Sequence, residues 1–524
     1  MIAIAAALGL ILASTDVTNC FQNTMISPEE RIWISLPPRY MKWFKKTYPD
    51  IKVEDSPSNS YLLQTMTGMQ GKRNAGRGWY IQMKDTLVNG YGMVVCPAEP
   101  ALFVKHFPGG DIMLLCTSTD DFLCAFSKEY IFADFMKFMD SILPVTAQTG
   151  TVLKYLNVRI IQTDMGISID QTQHIKTNVV EKYFPPERTE RLKSADTPYR
   201  TDSEYERALS ETLPATGREL TELEIQFGGP YHSLVGAILH VQQVTRYEIG
   251  FALTRLTQYS SCPNAPAFHG VTRTVRFLAT HLHSPIMYPR GKPKGYRPIR
   301  FETEPGKIIE HLLTRRPCLC ADADHARDTK TRKSISCVKG FINGVIVIWT
   351  MGKQTCIASH STDAETRAYY TAMQLNKYWR MILTFMGMDM SEPTIIYEDN
   401  QPCIDIITAG QITKLVKHIA IPVAMINEDI AAGNSKPVKI DGKLNPPDNG
   451  TKPNPSSTFH RHYQFCRGQI FYPPAGSEHG KLLQVHLVNQ RINEAENDKP
   501  RLISLEHYDD LNQVFENKDE KKKK

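Results

Sequence analysis

The sequence predicts an α/β (α+β) protein in which two mixed units flank a helical one. Three observations carry this prediction. Short apolar runs joined by hairpin turns fill the first 175 residues, a helix-periodic stretch covers 231–283, and strands again alternate with helices after residue 310. A chain of 524 residues is also too long for one compact core, so several domains are expected.

The first fourteen residues, MIAIAAALGLILAS, form an apolar run that we interpret as a buried helix entering a strand. No Lys or Arg precedes the run, as a secretory signal would require, and the run is too short to span a bilayer. We therefore expect a protein that is neither secreted nor bound to a membrane.

Two hairpins are predicted in the rest of this first region. A helix over GWYIQMKDTLVNGYG precedes two apolar strands, DIMLLC and FLCAF, which stand on either side of TSTDD. The second hairpin lies in LKYLNVRIIQTDMGISIDQ and turns at 164–166. The first hairpin therefore carries carboxylates at its turn.

The middle of the chain divides by composition. Residues 176–226 are polar and charged and are predicted to form a solvated connector, whereas 231–283 has the period of two or three packed helices. Residues 284–310 concentrate Pro, Gly and basic side chains, which suits a linker or a strip that faces phosphates. Composition leaves both alternatives open.

The second α/β unit begins near Cys320. We predict a strand that ends at Asp322, a hairpin through ISCVKGFINGVIVIWT, a helix over DAETRAYYTAMQLNKYWRMILTFMG, a strand TIIYEDN and a further helix. The pattern weakens beyond residue 455, and the Lys-rich end, ENKDEKKKK, is typical of a disordered tail.

Charge and cysteine content bear on the partners of the protein and on how its fold is stabilised. Sixty-one basic against fifty-five acidic residues give a formal charge of +6, which permits a nucleic-acid partner without requiring one. Eleven irregularly spaced Cys argue against a disulfide framework. Two groups of Cys and His lack the paired spacing of zinc sites, and we expect zinc at neither: Cys318, Cys320 and His325, and His460, His462 and Cys466.

A first set of carboxylates stands at predicted strand ends. Asp16 ends the first strand, and Asp120 and Asp121 lie at the turn of the first hairpin. Three acidic side chains on adjacent strands could hold two divalent metals, one to activate an attacking hydroxyl and one to stabilise the leaving group. Taken singly, each Asp is as readily explained as a solvated turn residue.

A second set follows the order Asp, Glu, Asp, Asp in the second α/β unit. Its members are Asp322 and Asp399 at strand ends, Glu365 on a helix and Asp448 in NPPDNGTKP. Such a series could place two magnesium ions around a phosphodiester. Individually these residues are explained as turn formers, a helix cap or a solvated helix residue.

Ordered motifs give the first set a more specific meaning. The segments DVTNCF, TGMQGKRNAGRGWY, EPALFV and TSTDDFLCAF resemble, in order, the reverse-transcriptase motifs of copia-type retrotransposon polyproteins. The resemblance implies that Asp16, Asp120 and Asp121 are the polymerase metal ligands. It also implies that Phe21 is the aromatic side chain that excludes a ribose 2′-hydroxyl, and that Gln70 and Arg77 contact nucleotide or phosphate.

The second unit resembles the ribonuclease H domain of the same family. The matching segments are CADADHARDTKTRKSISC, KQTCIASHSTDAETRAYY, IIYEDNQPCI and KLVKHIAI, followed by DNGTK. The resemblance implies that Asp322, Glu365, Asp399 and Asp448 are metal ligands, and that Asp324 and Asp363 are carboxylates outside the set.

The resemblance also implies a domain order. Residues 1–175 would form a polymerase palm with a mostly antiparallel sheet and an incomplete fingers segment, and 176–310 a helical thumb or connection with a basic linker. Residues 311–455 would form a ribonuclease H-like domain with a mixed sheet, and 456–524 a C-terminal extension.

The implied activity is RNA-directed DNA synthesis with hydrolysis of the RNA strand, at two sites that each use two Mg²⁺ or Mn²⁺ ions. The implied partners are an RNA template, a DNA primer, the RNA/DNA hybrid and deoxynucleoside triphosphates. We expect cytoplasmic, virus-like particles with entry into the nucleus. Two alternatives stay open: a nuclease alone, or a non-catalytic relic that binds nucleic acid.

Overall fold

The structure is a computed structural model that describes residues 1–51, 61–185, 193–290, 299–304, 307–311, 317–328, 330–409 and 414–468. Its strands are β1 (Ile11–Val17), β2 (Trp33–Leu36), β3 (Tyr61–Gln64), β4 (Val94–Val95), β5 (Leu102–His106), β6 (Ile112–Ser118), β7 (Asp121–Phe126), β8 (Val145–Gln148), β9 (Val152–Tyr155), β10 (Val158–Thr163), β11 (Gly166–Asp170), β12 (Ile286–Pro289), β13 (Ile299–Glu304), β14 (Lys307–His311), β15 (Cys318–Ala323), β16 (Ile335–Ile342), β17 (Val345–Lys353), β18 (Thr394–Glu398) and β19 (Ser435–Lys439).

Its α-helices are α1 (Ile2–Leu8), α2 (Pro38–Thr47), α3 (Ala75–Asp85), α4 (Glu129–Asp140), α5 (Thr172–His174), α6 (Ser203–Glu211), α7 (Gly217–Phe227), α8 (Tyr231–Val244), α9 (Gly250–Leu256), α10 (Ala265–Thr280), α11 (Ser361–Phe385), α12 (Gln401–Ala409), α13 (Ala420–Ala431), α14 (Asp448–Thr451) and α15 (Ser456–Cys466). Among the described residues, no helix is long and apolar enough to cross a membrane.

The first unit is built on a six-stranded antiparallel sheet in the order β4-β5-β6-β7-β1-β8. Alternate residues of β7 enter two different cores: Phe122 and Cys124 face α3 and α4, whereas Leu123 and Ala125 join the main core of the chain. This alternation with a period of two is why the apolar run FLCAF forms a strand buried on both faces.

Both hairpins predicted in the first region are confirmed. Strands β6 and β7 pair directly across a two-residue turn, in which Thr119 has a φ of 57°. Strands β10 and β11 pair in register from Arg159 with Asp170 to Thr163 with Gly166. The apolar N-terminus is also confirmed as a helix that enters a strand, because α1 is buried against β11 and β12 and leads into β1.

The range predicted as a linker contains a buried strand. Strand β12, from Ile286 to Pro289, pairs with β11 and completes a four-stranded antiparallel sheet in the order β12-β11-β10-β9. All four residues of β12 are buried. The linker prediction was wrong for this strand because its four apolar residues form a run too short to show a period. The most basic part of the range, 291–298, lies outside the described residues.

The helical middle is confirmed over 231–283 as α8, α9 and α10 and extends further toward the N-terminus. Helices α6 and α7 lie within the range predicted as a solvated connector, and Tyr205 and Leu209 of α6 are buried. These two residues are four apart and share one helix face, so a charged sequence with a single apolar stripe still packs. Residues 186–192 lie outside the described residues.

The second unit has a five-stranded mixed sheet in the order β17-β16-β15-β18-β19. Strand β15 is antiparallel to β16 and parallel to β18, and β18 is parallel to β19. Helix α11 packs on β15 and β16 and provides the crossover between the parallel strands. The predicted fold class is confirmed: an antiparallel first unit, a helical middle and a second unit with a mixed sheet and helices.

The chain continues as ordered structure beyond residue 455. Helix α15 buries Phe459, Tyr463 and Phe465, and the Tyr247 hydroxyl donates a hydrogen bond of 2.6 Å to the carbonyl oxygen of Tyr463. The start of the predicted C-terminal extension is thus part of the core. The Lys-rich tail lies in 469–524, outside the described residues.

Candidate active sites

Three carboxylates of the second unit meet at one edge of its sheet. Oxygens of Asp322, Glu365 and Asp399 all lie within 4.8 Å of one another. Asp322 lies near the end of β15 and Asp399 directly follows β18, and these parallel strands run side by side. Because the carboxyl ends of parallel strands meet at the same edge, two acids far apart in sequence become neighbours.

Helix α11 supplies the third member from its N-terminal end. The backbone N–H of Ala323 donates a hydrogen bond of 2.8 Å to Glu365 Oε2, which ties the helix to the end of β15. His360 caps the helix by accepting a hydrogen bond of 3.1 Å from the Asp363 N–H. The start of α11 is thereby held against the strand, with Glu365 facing Asp322.

Asp448 comes from the segment that follows β19. Its Oδ1 lies 2.7 Å from Lys452 Nζ, and its charge raises the pKa of Asp322. Thr451 donates its hydroxyl to the Asp322 carboxylate. The structure therefore brings together all four carboxylates predicted for the second set.

Two buried contacts hold the loop that precedes Asp448. Asn445 donates through its side-chain amide to the carbonyl oxygen of Ala321 at 2.9 Å, and Lys339 Nζ donates to that of Pro446 at 2.8 Å. Lys339 is fully buried on β16, which is unusual for a lysine. The position of Asp448 consequently depends on the core of the sheet.

The four carboxylates share an environment that disfavours their charge. Burial, followed by the negative charge of Asp448, raises the pKa of Asp322 to about 7. Burial and the charge of Asp322 raise the pKa of Glu365 well above its usual range, and burial also raises the pKa values of Asp399 and Asp448. An oxygen-only donor set of this density fits a divalent cation such as Mg²⁺, which would relieve the repulsion.

Glu398 is a further acid of this site that the sequence analysis missed. Its side chain is completely buried, its Oε1 accepts from the Asn400 N–H at 3.0 Å, and the pKa is raised well above the usual range, chiefly by burial. The last residue of an apolar strand is a place where an acid is easily overlooked. The helix cap in EDNQP is Asn400, whose side chain accepts from the Cys403 N–H at 2.9 Å.

Asp324 and Asp363 have other partners, as the resemblance implied. Asp324 Oδ1 accepts from the Ile335 N–H at 2.6 Å and closes the connection between β15 and β16. Asp363 lies 2.7 Å from Arg367 Nε and 2.9 Å from His418 Nε2. Both carboxylates are therefore held by local contacts.

The first set of carboxylates is arranged more openly. Asp16 of β1 lies directly opposite Asp121 of β7, and Asp120 occupies the adjoining turn, with its carbonyl oxygen accepting from the Val17 N–H at 2.9 Å. Burial raises the pKa of Asp121, and the charges of Asp120 and Asp16 raise it further. Asp16 is exposed, and these three do not form a cluster as tight as that of the second unit.

The residues implied to contact nucleotide lie in the segment that follows β1 and in the segment that leads into and begins α3. Phe21 is half-buried in the loop after β1, Gln70 is exposed in a turn, and Arg77 is exposed on α3. The sequence analysis missed Trp79 on the same helix, whose buried indole N–H donates to the carbonyl oxygen of Thr119 at 2.6 Å. Trp79 thus braces the turn that carries Asp120.

The proteins that match this chain over most of its length are retrovirus-related Pol polyproteins from transposons. No family model matches. The chain is 22% identical over 465 residues to the retrovirus-related Pol polyprotein from transposon RE2 of Arabidopsis thaliana, covering 88% of this chain and 28% of that protein. It is 21% identical over 470 residues to the corresponding polyprotein from transposon TNT 1-94 of Nicotiana tabacum, covering 88% and 31%. The predicted resemblance to copia-type Pol polyproteins is confirmed, and the chain spans less than a third of their length.

Two other similarities are more limited. A segment of 145 residues is 28% identical to the secreted RxLR effector protein 161 of Plasmopara viticola, covering 28% of this chain and 87% of that protein. Among solved structures, the foamy viral protease-reverse transcriptase in complex with double-stranded DNA is 11% identical, covers 85% of this chain and 69% of that chain, and has a TM-score of 0.19.

Proposed function

We propose that the second unit is a ribonuclease H that hydrolyses the RNA strand of an RNA/DNA hybrid. The observation that carries the proposal is the convergence of Asp322, Glu365 and Asp399 within 4.8 Å at the edge of a mixed sheet. Asp448 adds a fourth carboxylate beside them. The similarity to retrotransposon Pol polyproteins supports a nucleic-acid substrate.

The residues of this site would hold two Mg²⁺ or Mn²⁺ ions, which when bound activate water and stabilise the departing 3′-oxygen. Asp322 and Asp399 are positioned by the strands, Glu365 by its hydrogen bond to the Ala323 N–H. Lys452 contributes a cation beside Asp448 that limits the repulsion while the carboxylates are free of metal.

The nuclease is tested by cleavage of a labelled RNA/DNA hybrid by the full chain with Mg²⁺. Asp399→Asn should reduce cleavage to the level without metal, because one metal ligand is lost. Asp324→Asn is the matched control, since Asp324 lies two residues from Asp322 but bonds to the backbone of Ile335. Cleavage that survives Asp399→Asn at the wild-type rate would remove the nuclease proposal.

We propose for the first unit RNA-directed DNA synthesis from a primer 3′-hydroxyl, with deoxynucleoside triphosphates as substrates. The pairing of Asp16 opposite Asp121, with Asp120 in the adjoining turn, favours it. Mg²⁺ would be held by these three carboxylates. Phe21 lies on the loop that follows β1, where it would restrict the space for a ribose 2′-hydroxyl.

Primer extension on an RNA template separates the two proposals. Extension that is lost in Asp120→Asn but kept in Asp111→Asn, a residue at the other end of β6, would support both activities in one chain. Hybrid cleavage without any extension would leave a nuclease alone. A folded protein that performs neither reaction but retains nucleic acid on a gel would favour the non-catalytic alternative.

A further inference from the structure

A second group of metal-ligating side chains lies away from both carboxylate sets. One ligand atom each from Asp196, His281 and His460 lies within 4.8 Å of the other two. These residues come from the segment before α6, the end of α10 and the middle of α15. Three distant parts of the chain thus converge on one point.

Asp196 and His460 already contact one another. His460 Nε2 lies 2.8 Å from Asp196 Oδ1 and 2.9 Å from the backbone oxygen of the same residue. Ser456, one turn earlier on α15, donates its hydroxyl to the other carboxylate oxygen of Asp196. The carboxylate is therefore oriented by α15 although its side chain is 62% exposed.

His281 is oriented so that one ring nitrogen stays available. Its ring packs on Phe277 at 4.5 Å between centroids, and its Nδ1 lies 3.2 Å from the carbonyl oxygen of Phe277, to which it donates. Nε2 then carries the lone pair. Backbone bonding of this kind fixes the tautomer of metal-ligating histidines.

We propose that Asp196, His281 and His460 bind one divalent ion of the zinc class. Two imidazole nitrogens and one carboxylate, with an open fourth position, form a donor set that zinc accepts. Tetrahedral zinc places its ligand atoms ~3.4 Å apart, so the 2.8 Å contact between His460 and Asp196 has to open by about half an ångström. Bound zinc would tie α10 and α15 to the segment before α6.

This site differs from the one considered in the sequence. The sequence places His460 close to His462 and Cys466, but the side chains of His462 and Cys466 are buried where α15 packs against the core. Residues two apart on a helix do not share a face, which separates His462 from His460. We expect no zinc at that group of three. The site proposed here shares only His460 with it, and its other two ligands, Asp196 and His281, lie more than a hundred residues away in the sequence.

The test is zinc binding by the full chain, measured by calorimetry at pH 7.5 with excess Mg²⁺ to occupy carboxylate sites. A background with Cys262→Ser and Cys356→Ser removes the two exposed thiols. We expect one zinc ion per chain and a zinc-dependent rise in Tm. Asp196→Asn and His460→Gln should each weaken binding at least tenfold.

Two controls make the result specific. His325→Gln, an exposed histidine beside the second carboxylate set, and Asp399→Asn should leave zinc affinity unchanged. With EDTA, Asp196→Asn should still unfold in a single cooperative thermal transition, which shows that its loss of zinc binding is not a loss of fold. Absence of zinc binding in the background protein, or equal affinity in Asp196→Asn and His460→Gln, would overturn the proposal. Neither outcome bears on hybrid cleavage or primer extension.

Discussion

Replacing Asp322 with Asn should make the metal-free protein more stable at pH 8 while it abolishes hybrid cleavage. Asp322 is 3% exposed, and its pKa is raised from 3.8 to about 7 by burial and by the charge of Asp448. Asn has nearly the same shape and can still accept the hydroxyl of Thr451. The substitution therefore removes a disfavoured charge and little else.

The direction and size of this change in stability follow from the pKa of Asp322 in the unfolded state and in the folded state. A carboxyl whose pKa is higher in the folded state than in the unfolded state lowers stability as pH rises from 3.8 toward 7, and the full penalty is present above 7. That difference in pKa corresponds to roughly 4 kcal/mol at pH 8. Loss of the attraction to Lys452 offsets part of it. A net gain of roughly 2 kcal/mol would raise Tm by about 2 °C for a chain of this length.

The assay is thermal unfolding of wild type and Asp322→Asn at pH 5 and pH 8, with EDTA or with Mg²⁺. The advantage of the variant should be largest at pH 8 in EDTA and less than half as large at pH 5, where only the part of the penalty that accrues above pH 3.8 is present. Mg²⁺ should reduce the advantage, since it stabilises only the site with all its ligands. A variant that is less stable than wild type at pH 8 in EDTA would refute the reasoning.

Two further predictions concern other contacts. Asp328 lies 2.9 Å from Lys353, and hydrogen bonds and nearby cations that outweigh its burial lower its pKa to about 2. The Asp328 carboxylate should therefore stabilise the protein above pH 4 and lose this effect as pH falls through 2. In denaturant titrations, Asp328→Asn should lower the free energy of unfolding at pH 7 by roughly 1 kcal/mol after solvent screening and change it little at pH 2. A Cβ at Gly442 would lie 2.7 Å from Asp399 Oδ2, so Gly442→Ala should weaken Mg²⁺ binding and slow hybrid cleavage, whereas Gly236→Ala, on an open helix surface, should leave both unchanged.

The elements with strong local patterns could be predicted from the sequence. The β6–β7 hairpin and the 25-residue helix α11 have clear periods over their own lengths. The buried strand β12 and helix α6 were missed because their apolar residues are few and take their burial from distant partners. A short apolar run or a single stripe becomes a core element only when another part of the chain covers it.

In the candidate site, too, the sequence indicates which residues are involved, whereas their burial is known only from the structure. Asp322, Glu365, Asp399 and Asp448 could be selected from ordered motifs, but the sequence did not indicate the burial that raises their pKa values. Glu398 was missed because its role depends on its being enclosed by the sheet and its neighbours.

The sequence by itself determined the strands and helices that have a clear hydrophobic period, and the position of most of the acids within those elements. These properties depend on hydrophobic period and turn chemistry, which act over a few residues. Only the tertiary structure decided which acids meet, how deeply they are buried, and that His281 and His460 lie together with Asp196. Those distances join residues that are scores or hundreds of positions apart, and they are set by strand pairing and core packing, which no local pattern records.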